Sequence, residues 1–471
     1  MNDKLKKATV ITAIIFAGIL LLAFNLRRHT FHLPHYRGDQ HHYIGLAFKV
    51  DAIGVRGYNL RGIKFSRKRE HPYFWRFLLV DDKGQILEAL EKEVGVTYYD
   101  EPLHHVPFAF PMALVVSHKI FAPQDHYYLL KLTNEREVIM SAPPGVGLRD
   151  FRFHPDIAGK QFYSIIVPLL FSFMLLILVY FLAKKLYNNE WIALVAMYLM
   201  AISPVDLLTS QKVWADDMTA ALAVLAVFLY VLSVEKKSVL LALAGGVSCG
   251  LSAITKQNGA FVAFVIILWH FITNHESLLK RETFLKTVFD KNLILFGLGI
   301  IIGSGCWFYT VWSTYGTPFY RPHVPDIAKK SAIDWFRLVG ERPWYVYLVG
   351  IPYQNPLFAL AYISPLFLWL DKKNYKKTLL SIIWIAVFLY IFQEYLGTGG
   401  KEHRYMLPSY AAFAILGAYV ANYFRVFLDK RLGARIGTAL LIIALIVSAF
   451  WSIPIAFRTL FYNGALLMVP F

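Results

Sequence analysis

Eleven apolar stretches, most of them long enough to cross a bilayer, constrain this chain more than any other feature. A helix of roughly 17–25 apolar residues matches the hydrocarbon core of a membrane. The chain has 471 residues, of which 57% are apolar and only 17% are charged, so a soluble fold would expose far too much apolar surface. We therefore predict an all-α polytopic membrane protein with about eleven transmembrane helices. The stretches cover residues 8–24, 162–183, 191–206, 214–234, 238–254, 258–273, 292–312, 352–370, 378–395, 405–424 and 436–456.

The basic residues indicate the orientation of these helices. The N-terminus and alternate loops hold 19 of the 48 Lys and Arg residues, whereas the other short loops and the C-terminal tail hold 10. Cytoplasmic loops of membrane proteins carry such an excess. We therefore expect a multi-pass protein of the cell (inner) membrane of bacterial type, with a cytoplasmic N-terminus. Membrane topology accounts for the net charge of +17, so no nucleic-acid partner is expected.

One long polar insertion divides the chain into three parts. We predict an N-terminal span (1–24), an outer loop (25–161) with short interfacial helices, and a multi-span transmembrane domain (162–471). The first span reads as a retained anchor, because no small-residue cleavage site follows it. Residues 106–122 are apolar as well, but Pro107, Pro111 and the shortness of the run favour a helix lying at the interface. A twelfth span at this place is the alternative.

Ionisable residues are missing from the middle of the predicted spans and gather where spans meet the outer face. Ion-coupled transporters place such groups at membrane depth, so the pattern disfavours a transporter. These carboxylates and cations share one side of the membrane. The carboxylates could supply a catalytic base there, and the cations could bind a phosphate next to the lipid. Four segments carry most of these residues: Gly38 to Ala47, Tyr99 to Pro107, Trp214 to Asp217, and Lys401 to Pro408.

These segments resemble the GT-C class of integral-membrane glycosyltransferases, and within it the branch of protein mannosyltransferases and lipid A aminoarabinose transferases. That branch has an acid followed by Tyr and Ala after the first span, a His/Pro-rich helix in the first outer loop, and a Trp-x-Asp turn. It also has a Thr-Lys-x-x-Gly turn, an aromatic segment before a late span, and an Arg-Tyr-x-x-Pro opening. The matching residues here are Asp39, Tyr43 and Ala47; Pro102 to Pro111; Trp214 and Asp216; Thr255, Lys256 and Gly259; Pro343 to Leu348; and Arg404, Tyr405 and Pro408.

The resemblance implies a role for each candidate residue. Asp39 is the expected catalytic base, which takes the proton of an acceptor hydroxyl; a solvated loop acid or helix cap is the alternative. Cations and neutral donors would stabilise charge on the leaving phosphate. The expected substrate-binding residues are Tyr43, Asp100, Glu101, Asp216, Lys256, His403, Arg404 and Tyr405. The alternative for the acids among them is a role at a turn or a helix terminus. The alternative for Lys256 and Arg404 is snorkelling, in which the side chain extends along the interface to keep its charge in water.

The chain departs from the family in two places. Gln40 follows Asp39 where relatives often have a second acid, which disfavours a metal held by two carboxylates there. The chain also ends fifteen residues after its last predicted span, so we do not expect the soluble C-terminal domain of oligosaccharyltransferases. The spacing of His29, His32 and His35 suggests a zinc site, but Pro34 interrupts the run. We expect no bound cofactor, and a divalent metal is the alternative.

Taken together, these residues predict a cell-envelope enzyme, a hexosyl- or pentosyltransferase dependent on polyprenyl-phosphate sugars. It would act on the outer membrane face and transfer the sugar to a hydroxyl of a lipid, glycan or protein by one inverting displacement. The alternatives are a lipid or glycan transporter (flippase) and a polymerase or ligase of lipid-linked glycans.

Overall fold

The apolar stretches form helices in the computed structural model of the chain. It describes residues 3–28, 43, 47, 74–80, 86–93, 108–121, 126–132, 137–142, 155–315, 343, 345–392, 402–433 and 435–461. The α-helices are α1 (Asp3–Arg28), α2 (Ala109–Phe121), α3 (Pro155–Tyr187), α4 (Glu190–Ala201), α5 (Pro204–Thr209), α6 (Asp216–Lys236), α7 (Val239–Thr255), α8 (Phe261–Thr273), α9 (His275–Leu278), α10 (Arg281–Val288), α11 (Lys291–Tyr315), α12 (Val346–Gln354), α13 (Leu360–Ile363), α14 (Phe367–Leu370), α15 (Tyr375–Tyr390), α16 (Leu407–Leu432) and α17 (Ile436–Phe461). Short 3₁₀ turns cover Gln257–Ala260, Pro356–Ala359, Ser364–Leu366, Lys372–Asn374 and His403–Met406.

Six helical segments of the described chain are long and apolar enough to cross a membrane. They cover Thr9–Arg28, Ser164–Tyr187, Asp216–Lys236, Arg281–Thr310, His403–Leu432 and Ile436–Arg458. The prediction of a helical, polytopic membrane protein is thereby confirmed. The other five predicted spans fall on shorter helices, so the number eleven stays a prediction. Residues 352–370 show why such spans are shorter. Pro356 begins one 3₁₀ turn there and Pro365 is the second residue of another, because proline lacks the N–H that would continue an α-helix.

The outer loop differs from the predicted set of interfacial helices, because it also contains a β-sheet. Strands β1 (Phe74–Val80), β2 (Ile86–Glu93), β3 (His126–Leu132) and β4 (Glu137–Ala142) pair antiparallel in the order β2-β1-β3-β4. Phe77 pairs with Leu90 on one side and with Leu130 on the other. A search for long apolar runs overlooks strands of six to eight residues.

Helix α2 is shorter than the hydrocarbon core of a membrane is thick. Its 13 residues give about 20 Å at 1.5 Å per residue, against a hydrocarbon core of about 30 Å. Its buried residues Phe110 and Leu114 belong to a hydrophobic cluster with Val213, Ala215 and Ile254 of the helical domain. These facts favour the interfacial interpretation of residues 106–122.

The helical domain packs most closely through small residues. On α7, Gly250 faces the backbone of α11 so tightly that an added Cβ would lie 2.5 Å from the carbonyl oxygen of Ile300. The hydroxyls of Ser248 and Ser252 donate hydrogen bonds of 2.8 Å to carbonyl oxygens of α6. Small residues allow such close approach of membrane helices. The α6–α7–α11 unit therefore fixes the ends of α6 and α7, where several candidate residues lie.

Candidate functional site

Three turns that the sequence analysis singled out meet at one end of the helical domain. They are residues 210–217 before and at the start of α6, residues 255–260 between α7 and α8, and residues 402–406 before α16. Helix α6 has 21 residues and so extends about 30 Å, close to the thickness of a hydrocarbon core. It begins at Asp216 beside these turns and ends at Lys236 in one of the basic loops. The turns and the basic loops therefore lie at opposite ends of the domain.

An ion pair joins the first two turns. The ammonium of Lys256 lies 2.5 Å from Oδ1 of Asp216, and Asp216 is only 1% exposed. The backbone of Lys256 is extended between two helices, and Gly259 packs directly against Ser252, where a Cβ would clash with the backbone. The Thr-Lys-x-x-Gly pattern thus makes a tight corner that directs Lys256 toward Asp216. This contact favours a role for Asp216 in orienting Lys256 rather than in holding sugar hydroxyls directly.

A second ion pair forms inside the third turn. Nε of Arg404 contacts a carboxylate oxygen of Glu402, and Nη2 lies 3.5 Å from the hydroxyl of Tyr405. Arg404 is 7% exposed. A guanidinium has five N–H donors, so pairing with Glu402 through Nε is compatible with a bidentate grip on a phosphate. An acid partner also lowers the cost of keeping this buried cation charged.

Aromatic rings connect the cations of the three turns. The Lys256 ammonium lies 4.5 Å from the centre of the Tyr405 ring, and the Arg404 guanidinium lies 4.2 Å from that of the Trp214 indole. Lys212 is 4.8 Å from the same indole. The side-chain amide of Asn258 donates a 2.9 Å hydrogen bond to the carbonyl oxygen of Tyr405. We name Trp214, Asp216, Lys256, Arg404 and Tyr405 the candidate site.

His403 and the aromatic segment before α12 lie beside this site. Tyr347 is fully buried, its hydroxyl donates a 3.3 Å hydrogen bond to the carbonyl oxygen of Glu402, and its ring packs edge-on against His403 at 5.3 Å. His403 itself is 1% exposed. The structure thus places His403 next to Arg404 but buried, where it supports the turn.

Of the loop residues in the prediction, only Tyr43 falls on described positions. Tyr43 is buried, packs edge-on against Phe110 of α2 at 5.0 Å, and shares a hydrophobic cluster with Ala47, Val213 and Ala215. Tyr43 and Ala47 therefore lie beside the Trp214 turn. Asp39, Asp100 and Glu101 lie outside the described residues, as do the histidines at 29, 32, 35, 41 and 42. Among the described residues no group of three or more His, Cys, Asp or Glu side chains could hold a metal ion.

Sequence reasoning missed several charged residues near the site. Asp217 lies in the first turn of α6, where it is fully buried and accepts a 3.0 Å hydrogen bond from Thr209. Arg27 and Asp206 form an ion pair with both side chains fully buried. The signal for this pair was the position of Arg27 directly after an apolar span. Glu402, inside the Lys401-to-Pro408 segment, was named but given no partner.

Comparisons with known proteins agree with this architecture. The family model described as dolichyl-phosphate-mannose-protein mannosyltransferase matches residues 152–301, about a third of the chain. No curated protein sequence matches the chain. The oligosaccharyltransferase of Archaeoglobus fulgidus in its apo form superposes with a TM-score of 0.55 at 12% identity, and the match covers 94% of this chain and 55% of that one. The chain thus spans little more than half the length of that enzyme.

The match to a second solved structure covers a larger share of that structure's chain. ArnT from Cupriavidus metallidurans in the apo state gives a TM-score of 0.53 at 13% identity, with 98% of this chain and 74% of that chain covered. Its form bound to undecaprenyl phosphate gives 0.52 at 12% identity with the same coverage. The chain therefore has the fold of the GT-C class of integral-membrane glycosyltransferases, as the resemblance in its sequence predicted.

Proposed function

We propose that this chain is a glycosyltransferase that uses a polyprenyl-phosphate sugar as donor and a hydroxyl as acceptor, on the outer face of the membrane. The observation that carries the proposal is the meeting of Lys256 and Arg404 beside Trp214 and Tyr405 at one end of a membrane helix bundle. Cations at this depth can hold a phosphate while its lipid tail stays in the hydrocarbon region. The solved structures of ArnT with undecaprenyl phosphate and of the archaeal oligosaccharyltransferase AglB with a dolichol-phosphate support this choice of lipid.

The reaction we propose is a single inverting displacement. The acceptor oxygen bonds to the anomeric carbon while the bond from that carbon to the phosphate oxygen breaks. Asp39 takes the acceptor proton, and the polyprenyl phosphate leaves with the negative charge. Lys256 and Arg404 stabilise that charge as it grows. Tyr43, four residues after Asp39 in the sequence, packs in a cluster with Val213 and Ala215 of the Trp214 turn, which supports a place for Asp39 near the cations.

Reconstitution with defined donors tests this function. Purified protein in lipid nanodiscs is supplied with polyprenyl-phosphate hexoses and pentoses, and both the released polyprenyl phosphate and the glycosylated product are measured. A transferase produces both in equal amounts, whereas a flippase moves the donor without cleaving it. A polymerase or ligase would accept only donors that carry whole glycans.

Replacing the proposed base is the sharper form of the test. Asp39→Asn is expected to lower turnover by about 100- to 10,000-fold, the usual contribution of a general base, because an amide cannot accept the proton. Glu276→Gln, an exposed acid in one of the basic loops, is the matched control and should turn over normally. Near-normal transfer by folded Asp39→Asn protein would remove Asp39 from the mechanism.

A further inference from the structure

A fully buried ion pair lies just outside the candidate site. Arg27, at the end of α1, contacts the carboxylate of Asp206 in α5, and both are 0% exposed. Nε of Arg27 donates a 3.0 Å hydrogen bond to Ser172, and Nη1 donates to the carbonyl oxygens of Ala23 at 3.0 Å and Ala201 at 3.3 Å. The Ser172 hydroxyl in turn lies 3.0 Å from Oδ2 of Asp206. Four helices therefore meet at this guanidinium.

A row of carboxylates leads from this pair to the candidate site. The Thr209 hydroxyl lies 3.0 Å from Oδ1 of Asp217 and 3.4 Å from the backbone carbonyl oxygen of Asp206, and Asp217 directly follows Asp216 in the first turn of α6. Asp216 in turn pairs with Lys256. Each end of the row thus has its own cation, Arg27 beside Asp206 and Lys256 beside Asp216. Asp217, in the middle, forms no ion pair with any described residue.

We propose that Arg27 controls the phosphate affinity of the candidate site by neutralising the far end of this carboxylate row. This inference rests on the proposed function, because it assumes that Lys256 faces a phosphate. Without Arg27, the uncompensated charge of Asp206 adds to the negative field at Lys256. Charges in a buried row are poorly screened, so over roughly 10 Å this change weakens anion binding by about 5- to 20-fold.

Arg27 is then a positioning residue that acts through Asp206, Asp217 and Asp216 and touches no substrate. A purely mechanical tether makes a different prediction. It would depend on the fork of the guanidinium, which donates to Ser172 and two carbonyl oxygens as well as to Asp206, and lysine cannot reproduce that fork. Charge compensation depends on the net charge, which lysine keeps. It can also be restored by removing the charge of Asp206.

The test compares four variants in nanodiscs of zwitterionic lipid. Arg27→Gln removes the charge, Arg27→Lys keeps it, and the double variant Arg27→Gln with Asp206→Asn balances it. Arg28→Gln, at the exposed neighbouring arginine, is the matched control. Two quantities are measured: the affinity for undecaprenyl phosphate, and the rate at which Lys256 is acetylated by an N-hydroxysuccinimide ester, followed by mass spectrometry.

Charge compensation predicts a specific pattern. Arg27→Gln should bind undecaprenyl phosphate about 5- to 20-fold more weakly and acetylate Lys256 several-fold more slowly, because added negative charge favours the ammonium form. Arg27→Lys, the double variant and Arg28→Gln should stay within about twofold of the parent protein in both measurements. If Arg27→Gln does not fold, Arg27→Lys and the double variant carry the test. The double variant should fold, because replacing both partners of a buried pair is often tolerated.

Two results would overturn the proposal. One is that Arg27→Lys or the double variant loses as much undecaprenyl-phosphate affinity and Lys256 acetylation rate as Arg27→Gln does, or loses them at all where Arg27→Gln does not fold. That result would mean that Arg27 is a mechanical tether. The other is a folded Arg27→Gln protein that behaves like the parent. If the parent protein binds no undecaprenyl phosphate, the proposed donor class is wrong. The acetylation rates of Lys256 then decide the charge inference by themselves, because they need no ligand.

Discussion

At the scale of single residues, Arg404 combines three contacts that a headgroup anchor does not need. Its guanidinium pairs with Glu402, lies over the Trp214 indole and approaches the Tyr405 hydroxyl. The side chain is 8% exposed, whereas a snorkelling arginine keeps its charged head in water. The structure therefore favours a binding role for Arg404 over anchoring at the interface.

Replacing Arg404 by lysine separates geometry from charge. If Arg404 grips the donor phosphate through two parallel hydrogen bonds, Arg404→Lys should lower donor-dependent rates by roughly 10- to 100-fold, since hydrogen bonds to charged groups contribute about 1.5–3 kcal/mol each. Arg404→Ala should be at least as impaired. Arg425→Lys, at the other end of α16, is the control. Full activity of Arg404→Lys would mean that the phosphate is held elsewhere.

At the scale of elements, the glycine contacts between α7 and α11 position Lys256. A Cβ on Gly246 would clash with the backbone carbonyl of Phe296, and one on Gly303 would clash with that of Val247. Backbone atoms cannot turn aside as a flexible side chain can. Any larger residue at these positions must push the two helices apart, and the movement reaches the Lys256 corner at the end of α7.

Gly246→Leu should therefore destabilise the protein by about 1–3 kcal/mol, the usual cost of overpacking, and reduce donor use as well. Gly297→Leu on α11 is a matched control, because nothing lies within 4 Å of a Cβ built there. Thermal unfolding of both variants in the same detergent measures the difference. Equal melting temperatures would contradict the importance of this helix contact.

At the scale of the whole molecule, the charged ends of the helices define two faces. The candidate site lies at the end where α6 and α16 begin, and the Lys-rich turns lie at the opposite end. The predicted orientation makes the first face external and the second cytoplasmic. With the proposed function, this orientation would let the protein take a lipid-linked donor from the outer leaflet.

Cysteine labelling in intact cells tests this orientation. In a background with the exposed Cys306 replaced by serine, Lys372→Cys should react with a membrane-impermeant maleimide only after the cells are opened, whereas Thr398→Cys should react from outside. The remaining Cys249 is buried and serves as an internal negative control. Labelling of both introduced cysteines from the same side would refute the eleven-span topology.

The sequence was sufficient for the helical membrane fold, because hydropathy reports directly on the lipid environment. It also named Lys256, Arg404 and Tyr405, which the structure brings together from distant parts of the chain. It did not reveal the β-sheet, whose short strands resemble ordinary loop sequence. It also did not reveal the partners of the buried charges. Arg27 and Asp206 are 179 residues apart, and no local pattern connects residues across such a distance.

That separation has a consequence for how the protein is made. Helix α1 is synthesised before the helices that it packs against, and only 11% of its most apolar window is buried. At 5–20 residues per second, roughly 10–35 s pass before Asp206 follows Arg27 from the ribosome. During that interval Arg27, next to Arg28 at the end of α1, does not yet have Asp206 to pair with. The contact between Arg27 and Asp206 can therefore form only after α5 has been made.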